Sequence, residues 1–213
     1  MDSEDSAVRR TNLVTSIEQL ESLYPDVVPV AVIKELGVIS DDYRAFIEAS
    51  PFVVLATSGP EGLDCSPRGD PAGVVRVADP TTVMIPDRRG NNRLDSLRNI
   101  VRDPRVALLF LIPGIGETMR INGTAVLSTD PDLRRSFAMG DKVPATVIIV
   151  SVQSIYSQCQ KALVRSKLWD PTTHLPRSAL PTVGQMLQRI TDGAFDGQAY
   201  DDAYPERLKQ TIY

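Results

Sequence analysis

Residues 82–112, "TVMIPDRRGNNRLDSLRNIVRDPRVALLFLI", change character three times. The apolar β-type run "TVMIPD" gives way to the polar corner Asp87-Arg88-Arg89-Gly90-Asn91-Asn92-Arg93. A helical pattern follows, with Leu94, Leu97, Ile100 and Val101 on one face, until Asp103-Pro104 stops it. "RVALLFLI" then restores a strand pattern. One helix is thus set into a series of strands, and the polar corner sits where strand turns into helix.

Working outward, the same strand grammar continues on both sides. "FVVLATS", "LDCSPRGD" and "GVVRVA" precede the corner, punctuated by the turn signals "GPEG", "PAG" and "DP". After it, "TMRINGTAVLS" pairs with "RVALLFLI" across the turn "PGIGE". "TVIIVSVQSIY" is almost continuously apolar, which predicts a strand inside the sheet. Helices flank the strands. "TSIEQLESLYP" has Thr15 or Ser16 as its cap, and "SDDYRAFIEAS" starts at Ser40, with Asp41 and Asp42 at the positive end of the dipole and Pro51 closing it. "DPDLRRSFAM" opens with Asp130 as N-cap and Pro131 in the first turn. Six or seven closely spaced strands with added helices predict a mainly β protein, an antiparallel barrel, and speak against a doubly wound parallel sheet. The Gly- and Asp-rich stretch 191–206, "TDGAFDGQAYDDAYPE", reads as a tail or as an arm laid on a partner subunit.

Bulk properties narrow the function classes. The 213 residues are 42% hydrophobic and 23% charged, as in an ordinary soluble globular protein. A net charge of −4 argues against nucleic-acid binding, which needs a broad basic face. "MDSEDSAVRRT" carries no apolar secretory core, and "VALLFLI" and "TVIIV" are too short to span a bilayer, so a cytoplasmic protein without membrane contact is expected. Cys65 and Cys159 form neither a disulfide framework nor a metal-ligand spacing. His174 is the only histidine and sits in the Pro-bounded loop "WDPTTHLPRS". With no nucleophile elbow for it to serve, a His-dependent hydrolase is not expected.

Two polar constellations remain. At the corner, Arg88, Arg89 and Arg93 could supply charge-assisted bonds to an anion, and Asn91 or Asn92 amide donors or a helix cap; Gly90 would ease the turn. A solvated loop with an Asn N-cap accounts for the same residues. In "DCSPRGD", Ser66, Arg68 and Asp70 alternate onto one face while Pro67 marks an edge, which suits either a planar ligand or a plain edge strand. "GIGETM" lacks the third glycine and the following helix of a dinucleotide fingerprint and reads as a hairpin turn. "CQKALVRSKLW" places Lys161, Arg165 and Lys167 on a helix that is either a wet face or a contact to an anion or a partner subunit.

The order "FVVLATSGPEGLDCSPRGD", "MIPDRRGNNRLDSLRNIVRDPRVALLFLIPG", "ETMRINGTA", "CQKALVRSKLWDP" resembles the pyridoxamine 5′-phosphate oxidase-like family, and within it a bacterial subgroup of FMN-binding split-barrel proteins. The resemblance implies an antiparallel split barrel of Greek-key type over residues 40–175, with an N-terminal helical extension (1–39) and a C-terminal helical or arm segment (176–213). It implies a homodimer with FMN at the subunit interface. Arg88, Asn91, Asn92 and Arg93 would hold the phosphate, and Ser66, Arg68 and Gly69 would run along the ring. Ile85, Pro86 and Asp87 would give backbone contacts, Thr118 would approach from a facing strand, own or partner's, and Lys161 and Arg165 would touch flavin or the dimer contact. Arg68, with Lys161 in reserve, would stabilise the anionic reduced flavin. The implied activity is an FMN-dependent oxidoreductase on a small molecule, with NAD(P)H a candidate donor. The alternatives are a flavin sensor or carrier without turnover, and a deazaflavin- or haem-using relative. Trp169 is followed by "TTH" where true pyridoxamine phosphate oxidases have Arg-x-His, so pyridoxamine phosphate is not the expected substrate.

Overall fold

The computed structural model describes residues 12–213; the acidic opening read above, residues 1–11, lies outside them. The strands are β1 (Phe52–Gly59), β2 (Gly62–Gly69), β3 (Arg76–Asp79), β4 (Thr82–Pro86), β5 (Arg105–Leu111), β6 (Thr118–Ser128) and β7 (Val147–Gln158). They form one seven-stranded sheet in the order β2-β1-β5-β6-β7-β4-β3, and every neighbouring pair is antiparallel. The expected mainly β split barrel is the fold. β7 lies between β6 and β4, as its apolar run required.

Alternation puts one face of each strand inside. Val53 and Leu55 of β1, Leu108 and Phe110 of β5, Ile121 of β6 and Ile148 and Val150 of β7 are at most 1% exposed. Each such side chain contributes roughly 1.5–3 kcal/mol through burial, so these strands carry most of the stabilisation. The long strands β6 and β7 bend at a register shift: Asn122 faces Ser154 and Gly123 faces Val152, leaving Gln153 as the extra residue of a bulge. Gly123 is required there. A Cβ at that position would land on the Ser151 carbonyl oxygen.

The chain divides into two compact units, residues 1–34 and 35–213. In the first, α1 (Ile17–Glu21) is capped by Ser16, whose side chain accepts the Gln19 N–H at 3.1 Å. α2 (Pro29–Ile33) was not legible, since "VAVI" has strand propensity and only Pro29 in its first turn marks a helix. In the second unit, α3 (Asp41–Ala49) starts at the expected Ser40 cap and buries Ile47. α4 (Asp95–Arg102) is the helix of the opening stretch. α5 (Pro131–Arg135) follows its Asp130 cap, and α6 (Lys161–Ser166) carries the "KALVRS" cations. α7 (Val183–Ile190) and α8 (Gly197–Thr211) pack on each other. The stretch 191–206, expected as tail or arm, is therefore mostly helix, with Asp196 accepting the Ala199 N–H at 2.9 Å as its cap. Among the described residues no helix is long and apolar enough to cross a membrane.

Candidate functional site

The sheet ends in two edge strands, β2 and β3, and the barrel is split between them. β3 pairs only with Thr82–Met84 of β4, so Ile85, Pro86 and the residues after them extend past it, and β2 is the opposite edge strand. Two ion pairs cross this gap in reciprocal sense. Arg68 of β2 donates to Asp87 at 2.6 Å, and Arg88 donates through Nε to Asp70 at 2.5 Å. The spacing of Arg68 and Asp70 is what makes the crossing possible, because residues two apart on a strand share a face. On β2, positions 64, 66 and 68 are partly covered and 63, 65 and 67 exposed, so the expected face exists on an edge strand that also carries Pro67.

Between β2 and the polar corner lies a cleft of about 1380 Å³. Residues 64–71 form one wall and residues 86–97 the other; residues 141–145 and Ile212 with Tyr213 complete the rim. Of the residues expected to hold a ligand, Ser66, Arg68, Gly69, Pro86, Asp87, Arg88, Asn91, Asn92 and Arg93 all line it. Ile85 does not; it is fully buried in the core, one residue behind Pro86. Thr118 starts β6 at its Gln158 pairing, eleven β7 positions from the Val147 that faces Pro86. Neither Thr118, Lys161 nor Arg165 lines this cleft.

The corner differs from its sequence reading in how it turns. Neither Asn91 nor Asn92 caps α4. The N-cap is Leu94, in the left-handed region at φ 62° and without a side-chain cap. Asn91 instead accepts the Arg93 N–H at 3.1 Å, and Asn92 is left-handed at φ 60°. Two left-handed residues thus make the turn, and Gly90, whose φ is ordinary, does not. The helix face is also shifted. Leu97 and Ile100 are buried with Ser96 and Asn99, whereas Leu94 and Val101 are exposed. Polar contacts explain the shift: Ser96 donates to Asp64 at 2.5 Å and Asn99 to Thr57 at 3.1 Å, fixing α4 to β2 and β1. Gly59 admits Asn99, since a Cβ there would overlap its side-chain oxygen. Gly90→Ala is expected to change folding stability by less than about 0.5 kcal/mol, because nothing lies within 4 Å of the added methyl. Leu94→Gly is expected to gain about 0.5–1 kcal/mol by releasing left-handed strain. Urea denaturation of both variants checks the assignment.

Electrostatically the cleft is balanced. Its cations are Arg68, Arg88, Arg89, Arg93 and Lys142; its carboxylates are Asp64, Asp70, Asp87, Asp95 and Asp141. Four of the cations already have carboxylate partners, Arg93 with Asp95 at 2.8 Å and Lys142 with Asp141 at 3.1 Å besides the two crossing pairs. Arg89 alone has no such partner among the described residues, and it is exposed. A second uncommitted donor is the Nε of Arg68, which is buried and has no hydrogen-bond partner although Nη1 of the same guanidinium serves Asp87. A buried N–H without an acceptor costs stability unless something else supplies one. The cleft therefore suits an anionic ligand that also carries an acceptor for Arg68.

Sequence reasoning missed two parts of this site and the role of a third. Asp70 is the acceptor that organises one rim, with its side chain 4% exposed. Residues 141–145 arrive from the far side of α5. Tyr213 donates its hydroxyl to Asp70 at 2.9 Å, with the Arg88 guanidinium 5.8 Å from its ring centre. That hydrogen bond first, then burial and the Asp70 charge, keep the phenol protonated to higher pH than usual, against the pull of Arg88. The alternation of "SPRGD" flagged Asp70's face; no local pattern announced the other two.

The His174 loop is a short 3₁₀ turn with the imidazole exposed, and Cys65 and Cys159 are exposed thiols. No curated protein matches the chain. Several solved structures are similar to it, three of them as follows. HupZ of Group A Streptococcus is 20% identical, covering 57% of this chain and 94% of its own, with a TM-score of 0.48. General stress protein 26 of Bacillus anthracis is 16% identical over 53% and 88%, with a TM-score of 0.41. An FMN-binding protein of Syntrophomonas wolfei is 11% identical over 54% and 82%, also with 0.41. Residues 39–159, which contain the whole sheet and both walls of the cleft, match the family model described as pyridoxamine 5′-phosphate oxidase. With more than half its length so matched, the chain belongs to the pyridoxamine 5′-phosphate oxidase family of split-barrel proteins.

Proposed function

We propose that the cleft binds FMN and that the protein is a flavin-dependent oxidoreductase acting on a small molecule as a homodimer. The observation that carries this reading is the pair of uncommitted donors in one cleft: the exposed guanidinium of Arg89 and the buried Nε–H of Arg68. A phosphate needs the first and the acceptor edge of a planar ring needs the second. Family membership supports the same ligand.

In this reading Arg89 takes the phosphate together with the amides of Asn91 and Asn92. Arg88 and Arg93 turn toward it as far as Asp70 and Asp95 allow. Ser66 and Gly69 border the ring, and Pro86 and Asp87 border it from the facing wall. The flavin, when bound, supplies the two-electron redox chemistry. Arg68 holds a donor at the ring's acceptor edge, where added negative charge is stabilised without reorganisation. Because Asp87 neutralises part of that guanidinium, the stabilisation is smaller than an isolated arginine would give. Thr118, Lys161 and Arg165 belong to the dimer in this reading, reaching the cleft of the second copy. Exposed Val164 and Leu168 beside the α6 cations suit such a contact.

The test is a flavin titration. Arg89→Ala is expected to weaken FMN at least tenfold, since a charge-assisted bond contributes about 1.5–3 kcal/mol. Riboflavin, lacking the phosphate, is expected to lose less than threefold. Equal affinity of the variant and the parent for FMN removes the phosphate assignment. NAD(P)H oxidation by the flavin-loaded protein, followed with an added electron acceptor, separates an oxidoreductase from a flavin carrier, and light scattering of the loaded protein tests the dimer.

A further inference from the structure

α8 is fastened at one end and delivers a side chain at the other. Near its start Asp201 accepts the Gly184 N–H at 3.0 Å and the Thr182 hydroxyl. Gly184 and Gly197 touch backbone to backbone, so a Cβ on either would overlap the other's carbonyl oxygen. The helix is thereby locked to α7. Its far end brings Ile212 and Tyr213 to the rim of the cleft.

Apolar burial does not explain that placement. Tyr204, Leu208 and Ile212 are each more than 40% exposed, so the helix is not drawn in by a hydrophobic stripe. Tyr213 is held by polar contacts instead. Its hydroxyl donates to one oxygen of Asp70 while Arg88 donates to the other, and the same guanidinium stands over its ring. Tyr213 stands at the rim and leaves the space open: about 1380 Å³ remains beside it, more than the roughly 300–1,000 Å³ of an ordinary small-molecule site. A phenol fixed through its hydroxyl presents a rigid aromatic surface, at low entropic cost, to whatever planar group enters.

We infer that Tyr213 is a ligand-contacting residue of the cleft, an aromatic wall supplied by the last helix to the ring system of the bound ligand. Asp70 fixes its hydroxyl, and the ring does the contacting. This rests on the flavin reading above, with FMN as the probe. It assigns a task to a segment outside the matched residues 39–159 and couples α8 to ligand retention.

The experiment is FMN titration of the full chain followed by flavin fluorescence, for the parent protein and for Tyr213→Ala, Tyr213→Phe and Tyr213→Trp. Tyr213→Ala is expected to weaken FMN three- to tenfold, the range of an aromatic contact. It is also expected to raise the emission of the bound flavin, because a tyrosine ring against the isoalloxazine quenches it by electron transfer. Tyr213→Phe keeps the ring and loses only the Asp70 bond, so its affinity falls less than threefold. Tyr213→Trp restores both affinity and quenching. Binding and emission of Tyr213→Ala equal to the parent's overturn the inference, and so does a gain in affinity, which would make the ring an occupant of the ligand's place. A parent protein that binds no FMN overturns the flavin reading itself, and the inference with it.

Discussion

Arg88→Ala is expected to cost about 3–5 kcal/mol of folding stability, seen as a lower urea midpoint at unchanged slope. The reason is the state of Asp70. Its side chain is 4% exposed and that of Arg88 18%, and their contact is 2.5 Å. The same guanidinium donates through Nη1 to the Phe137 carbonyl at 2.6 Å, so one residue satisfies a strand end, the polar corner and the loop after α5. Truncation leaves a buried carboxylate with only the Tyr213 hydroxyl, and an unpaired interior charge is far more costly than a missing surface pair. Arg93→Ala is the control. Its pair with Asp95 is 74% and 42% exposed, and its loss is expected to stay under about 1 kcal/mol. Combining Arg88→Ala with Asp70→Asn should recover a large part of the loss, since the stranded charge is then gone. A single variant losing under 1 kcal/mol would mean that water reaches Asp70 and that the crossing pairs are surface decoration.

Gly123→Ala is expected to cost about 3 kcal/mol or more, the upper range for an overpacked interior site. Its added methyl would meet the backbone of Ser151, and backbone, unlike a flexible side chain, has no alternative rotamer. The only relief is to push β7 off β6 at the bulge, where the register already shifts past Gln153. That movement would disturb the long strands that hold Ile121, Val150 and Ile155 in the core. Gly59→Ala provides the contrast: there the methyl meets the Asn99 side chain, which can give way, so a smaller loss is expected. Thermal denaturation of the two variants ranks them, and a Gly123→Ala melting temperature at or above that of Gly59→Ala would reject the bulge argument.

The barrel was legible because its signals are local. The short apolar β-type runs "FVVLATS" and "RVALLFLI", Ser40 and Asp130 as caps, and Pro104 as a stop each speak through neighbouring residues. The Gly123 bulge was written as an isolated glycine inside a strand, but its partner is nearly thirty positions away and only the paired sheet shows the close approach. In the site, most of the residues expected from the sequence line one cleft, but their charge pairing was not legible. Arg68 and Arg88 read as open cations because their neutralising carboxylates are 19 and 18 positions away, across a gap that exists only after the barrel closes. The arrival of Tyr213, 143 positions from Asp70, has no local cue at all. The Asn cap failed for a different reason: Leu94 takes the left-handed conformation that asparagine would ordinarily be given.

The reciprocal pairs across the split have a consequence for descent. Positions 68 with 87 and 70 with 88 form two covalently remote couples, and losing any one member strands its mate. Single drift at these positions is penalised, while exchange of a whole couple for neutral residues of similar bulk is tolerated. Homologous chains should therefore change at 68 and 87 together, and at 70 and 88 together, with intermediates scarce; independent variation at the four would show that natural selection does not feel the seam.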